Sequence, residues 1–136
     1  IQGIVLRDYL QCLTHMLYRE SPAIHVVGQL LIEGAQVHVY DPLVKSEQAR
    51  SDLLEYGYGQ ANGNNLSFHS DPYNACIDSS AIVVCTEWDE FRTLNYREIN
   101  AMMQKPAHVF DGRLVLDTIE LKSLGFEVYC IGKGDF

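Results

Sequence analysis

Between Leu6 and Ser21 the sequence has no glycine. A dinucleotide cradle needs Gly-x-Gly-x-x-Gly between the first strand and the first helix, so that the backbone can approach a pyrophosphate. That cradle is missing here, and so is any P-loop. Asp41 stands where a ribose-binding acid would stand, but without the glycines Asp41-Pro42 reads as a turn. Basic charge is also scarce. Ten Lys and Arg against 18 Asp and Glu leave a net charge of −8. Nucleic acid is therefore not the expected partner, because phosphate neutralisation needs a basic face. One small phosphorylated ligand remains compatible, since one or two placed arginines suffice for it.

No apolar run approaches the roughly 20 residues needed to span a bilayer, so no membrane span is expected. Residues 1–8 have neither a basic n-region nor a long apolar core, so no signal peptide is expected. A sequence without an initiator Met is expected to be a piece of a longer chain. The four cysteines, Cys12, Cys76, Cys85 and Cys130, form no Cys-x-x-Cys. Cys85 and Cys130 follow apolar runs and read as small hydrophobes. That usage fits a reducing compartment, the cytoplasm, with no disulfide framework. The five histidines are scattered without ligand spacing, so no metal site is expected. His38 and His108 read as packed or edge residues of strands. No arrangement for a catalytic nucleophile is legible.

What is present is ample apolar material, 47% of 136 residues, enough for one domain over 1–136. Gly3–Leu6 reads as a strand. Ser21-Pro22 is a helix start, cap then first-turn proline, followed by Ile24, Val27, Leu30 and Leu31 at helical spacing and by Gly34 as the stop. Gln36–Tyr40 is a β-branched strand halted by Asp41-Pro42, and Ser46–Leu54 a polar helix. Tyr56–Asn65, rich in turn formers, predicts an exposed, mobile loop. Strands at Leu66–His69, Ala81–Cys85, Ala107–Phe110 and Glu127–Ile131 alternate with helical stretches at Pro72–Cys76, Leu94–Met103 and Asp117–Leu124. This alternation predicts an α/β domain, Rossmann-like and three-layered, with a mostly parallel sheet and helices on both faces.

In such sheets ligands bind outside the carboxyl ends of the strands. Asp111-Gly112-Arg113 falls there, after Val109-Phe110. Gly permits the turn, and Arg113 then projects a planar, bidentate donor suited to phosphate oxygens. The same pattern also describes a surface arginine after a turn. Thr86-Glu87-Trp88 follows Ala81–Cys85 and reads as a helix cap with a Trp covering the sheet end, or as the mouth of a pocket. Arg19-Glu20-Ser21 precedes the first helix, whose N-terminus attracts anions; the alternative is an Arg-Glu pair beside a cap.

Taken together, several segments resemble a known family. They are Arg19-Glu20-Ser21-Pro22-Ala23-Ile24, Glu33-Gly34-Ala35 leading to Val39-Tyr40-Asp41-Pro42, and Asp71-Pro72-Tyr73 with Ala75-Cys76. Val83–Phe91, Lys105-Pro106-Ala107, Phe110–Arg113 and Gly125-Phe126 complete the set. Their order and spacing are similar to those in the C-terminal, UDP-binding domain of the UDP-glucose/GDP-mannose dehydrogenase family, and most like the eukaryotic-type UDP-glucose 6-dehydrogenases.

The resemblance spans roughly Arg19 to Lys133. It implies a parent that oxidises UDP-glucose to UDP-glucuronate with two NAD, and that forms a homo-oligomer. It implies that Arg113 contacts the UDP-sugar and that Arg19 approaches the cofactor. NAD would be bound mainly by a domain outside this chain. The family's catalytic Cys motif is not in the sequence; Cys76 matches a different cysteine, inside the domain. The fragment alone is therefore not expected to catalyse. Leu10–Tyr18 also departs from the family's Phe-Lys-x-Asp-Thr-x-Asp, lacking the lysine that would reach substrate. Two other readings stay open at this point. One is a structural or interaction domain of the same fold that has lost the site. The other is a relative acting on UDP-N-acetylmannosamine or GDP-mannose.

Overall fold

The computed structural model describes residues 3–7, of which only the backbone is considered, together with 23–40, 45–85 and 89–130. Helix α1 (Ala23–Ile32) buries Val26, Val27, Leu30 and Leu31 on one face. It stops at Gly34, whose φ of +86° lets the chain close the helix end, with Ala35 N–H on Leu30 O and Gly34 N–H on Leu31 O. Strand β2 (Gln36–Tyr40) follows at once. Helix α2 (Ser46–Glu55) is mostly polar; it buries Ala49 and Leu53 and leaves Leu54 exposed.

After β3 (Leu66–His69), Asp71 accepts the Tyr73 N–H and caps α3 (Pro72–Cys76). Strand β4 (Ala81–Val84) is buried on both faces, as a central strand covered by helices must be. Short helices α4 (Glu90–Thr93) and α5 (Tyr96–Met102) lead to β5 (His108–Asp111). Helix α6 (Thr118–Ser123), capped by Asp117, leads to β6 (Glu127–Cys130).

The sheet order is β3-β2-β1-β4-β5-β6, with β1 over Gly3–Arg7. Pairs β2–β3, β4–β5 and β5–β6 are parallel. Strand β1 runs antiparallel to both of its neighbours, Gly3 pairing with Tyr40 and with Val84. The sheet is thus mostly parallel, as expected, with one reversed strand at its centre. The reversal makes the other five strands run the same way. Tyr40, His69, Val84, Asp111 and Cys130 consequently end at one edge.

Alternation along each strand separates two apolar layers. Val37, Val39, Ala81, Val83 and Phe110 join α1, α2 and Tyr58 in one cluster. Tyr40, Ile82, Val84, Val109 and Val128 join α3, α5 and α6 in the other.

The 56–65 segment differs from the exposed loop that its composition predicts. It holds a 3-10 turn (Gly59–Asn62) with Tyr58 and Ala61 buried in the first cluster. The Tyr58 hydroxyl bonds His25 Nδ1 at 2.8 Å, and Arg50 donates to the carbonyls of Ala61 and Leu66. Polar, turn-forming composition here fixes a particular backbone path, and two residues of it reach inward.

Candidate functional site

The carboxyl edge of β4 and β5 carries the one candidate motif that falls wholly on described residues. Val84 pairs with Asp111, and Gly112 N–H extends the ladder by one bond to Val84 O at 3.1 Å. The chain then leaves the sheet. Arg113 and Leu114 are exposed, and Val115 returns to the second apolar cluster.

Asp111 controls this excursion. Its side chain is fully buried, yet its two oxygens face the loop. Oδ1 accepts the Arg113 N–H at 3.1 Å and Oδ2 accepts the Leu116 N–H at 2.8 Å. Within that clamp Leu114 adopts φ +57°, a left-handed conformation that a leucine rarely takes. The loop is therefore a held structure rather than a slack connection.

Arg113 lies close enough to Cys85, just past β4, to act on it electrostatically. Burial pushes the Cys85 thiol up to about 12, with the guanidinium of Arg113 pulling the other way. Cys76 is likewise pushed up to about 12, by burial and then by the carboxylate of Asp71. Neither thiol is prepared as a nucleophile, which needs a lowered pKa. Across the same edge, the Tyr40 hydroxyl donates to both carboxylate oxygens of Glu90, at 2.7 and 2.9 Å. This ties the end of β2 to α4 over the centre of the sheet. Beyond the Arg113 loop, a cleft is lined by Arg92, Tyr96, Leu116, Asp117 and Glu120.

Of the residues singled out in the sequence, Arg113 stands exposed at the carboxyl edge, as the pattern predicts. Arg19, Asp41-Pro42, Thr86-Glu87-Trp88 and the divergent Leu10–Tyr18 stretch lie outside the described residues. Asp71 is a helix cap. The structure also pairs two histidines that spacing does not connect. His38 Nδ1 and His69 Nε2 are 2.8 Å apart across β2 and β3, and burial lowers the pKa of His69. His108 is stacked against Phe110 and Tyr129. Among the described residues no group of three or more His, Cys, Asp or Glu could hold a metal ion, and no helix is long and apolar enough to cross a membrane.

A mostly parallel sheet with helices on both faces makes this a Rossmann-like α/β domain, the class whose ligand sites lie outside the carboxyl ends of the strands, where the clamped Arg113 loop stands. Comparison with known proteins gives the family. The UDP-binding domain of the UDP-glucose/GDP-mannose dehydrogenase family matches residues 17–118, and the chain belongs to this family. UDP-glucose 6-dehydrogenase of Caenorhabditis elegans is 47% identical over 114 residues, covering 84% of this chain and 24% of that protein. UDP-glucose 6-dehydrogenase of Gallus gallus is 44% identical over 119 residues, 85% and 24% respectively. UDP-glucose 6-dehydrogenase 1 of Arabidopsis thaliana is 41% identical over 127 residues, 85% and 26%. The chain thus spans about a quarter of the length of these relatives.

Proposed function

We propose that residues 1–136 are a single UDP-sugar-binding domain of a UDP-glucose 6-dehydrogenase, an NAD-dependent enzyme that oxidises UDP-glucose to UDP-glucuronate. The observation that supports this is the clamped Asp111–Leu116 loop, which holds Arg113, an exposed residue, just past the carboxyl end of β5 in a chain of this family. Arg113 grips the phosphates of the UDP-sugar; a guanidinium matches phosphate oxygens two at a time. The domain binds and orients one partner of the reaction. The thiol chemistry and the dinucleotide fold are supplied elsewhere in the parent.

NAD does not fit this chain as its principal host. The glycine-free stretch Leu6–Ser21 offers no close backbone approach for a pyrophosphate. Arg19 is left with a supporting contact to NAD bound on another domain. We read the parent as a cytoplasmic homo-oligomer.

Calorimetric titration of the chain with UDP-glucose and UDP-glucuronate tests the reading. Arg113→Ala should weaken binding on the order of 10²-fold, the loss of a charge-assisted contact. Equal affinity of wild type and variant overturns the role of Arg113. No binding by the wild type, together with stable self-association, favours an interaction domain that has lost its site.

A further inference from the structure

We infer that Asp111 is the positioning residue of the phosphate site, acting through Arg113. The inference rests on the reading of Arg113 as a phosphate contact.

The last residue of β5 has no need of a carboxylate for packing. Val109 points into the second apolar cluster, and position 111, two residues on, faces the same way. An apolar side chain there would complete the layer, and burying an ionised group is costly unless hydrogen bonds offset it. The carboxylate is retained because both oxygens are used, one on Arg113 N–H and one on Leu116 N–H. These bonds fix both ends of the segment that includes Leu114 in its left-handed conformation. That conformation is unfavourable for a residue with a Cβ, so without the clamp the loop would relax. Relaxation swings the exposed guanidinium away from the edge set by Val84 and Gly112. Asp111 therefore does not touch the ligand. It raises the fraction of molecules in which Arg113 is already in place, and apparent affinity scales with that fraction.

A double-mutant cycle read by UDP titration tests this, using wild type, Arg113→Ala, Asp111→Asn and the double variant. Asparagine keeps the shape but turns one acceptor into a donor, so Asp111→Asn should lose about 10-fold in UDP affinity through a less populated loop. The double variant should bind no more weakly than Arg113→Ala, because Asp111 has nothing left to position. Losses that add, or wild-type affinity in a folded Asp111→Asn, overturn the inference while leaving Arg113 its role. Wild-type affinity in Arg113→Ala instead overturns the reading beneath it. If Asp111→Asn does not fold, amide exchange in the wild type decides. Protected amides at Arg113 and Leu116 support the clamp, and exchange at free-peptide rates overturns it.

Discussion

The ring of Tyr58 lies so close over Gly28 that a Cβ on Gly28 would sit 2.4 Å from its Cδ2. Gly28 is buried in the middle of α1, where alanine would ordinarily favour the helix by about 1 kcal/mol. Here the contact decides the sign. Gly28→Ala must displace a ring that is also tied to His25, so overpacking should cost about 1–3 kcal/mol net. Urea unfolding checks this; a variant more stable than wild type would show that the loop yields freely.

The His38–His69 bond gives stability a pH dependence. At 2.8 Å one ring donates and the other accepts, so at least one is neutral. Burial holds the folded-state pKa of His69 below its ordinary 6.5. As pH falls below 6.5 the unfolded chain takes up a proton more readily than the folded one, and stability declines. The melting temperature should therefore drop between pH 7.5 and 5.5, and His69→Gln should flatten that drop. An unchanged slope in the variant would assign the effect to other groups.

Cys76 and Cys85 should resist alkylation in the native chain at pH 8. Both thiols are held near 12, chiefly by burial, so the reactive thiolate is scarce. Cys76 is buried outright; Cys85 is half-buried, so its low thiolate fraction rather than inaccessibility protects it. Mass spectrometry after iodoacetamide treatment should find both sites modified only when denaturant is present. Rapid native labelling at either position would contradict the burial that raises them.

Tyr40→Phe should destabilise the domain by about 1–3 kcal/mol, the worth of a hydrogen bond to a charged group. The hydroxyl joins the end of β2 to Glu90 on α4. Thermal unfolding of Tyr40→Phe and of Tyr40→Phe with Glu90→Gln measures it. If the second change costs as much again in the double variant as alone, the pair is not coupled.

Much of this architecture is legible in the residues themselves. Gln36–Tyr40, with β-branched Val37 and Val39 ahead of Asp-Pro in the sequence, is a strand with those bounds. The Leu30-Leu31 to Gly34 sequence ends α1 where glycine permits. Other features depend on register. His38 and His69 meet because Tyr40 pairs with His69, which sets His38 one diagonal step away. Nothing in their separation of 31 positions shows this. The direction of β1 is similarly hidden, because an apolar run such as Ile4-Val5-Leu6 reads the same from either end. At the site, Asp-Gly-Arg points to Arg113 through the chemistry of guanidinium. The part played by Asp111 needs the positions of two amides that only the folded loop supplies.

The clamp of Asp111 also separates two demands that usually compete. The frame of the loop is set by a buried carboxylate, a glycine and the edge of β4. Its outward side chains, at 113 and 114, lie outside the apolar layers. If Arg113 is the anion contact proposed above, substitution at 113 changes which anion is recognised without disturbing either apolar layer, whereas position 114 stays constrained by its left-handed backbone. The loop is thus an interchangeable fitting on a fixed mount, a natural place to vary ligand preference by engineering.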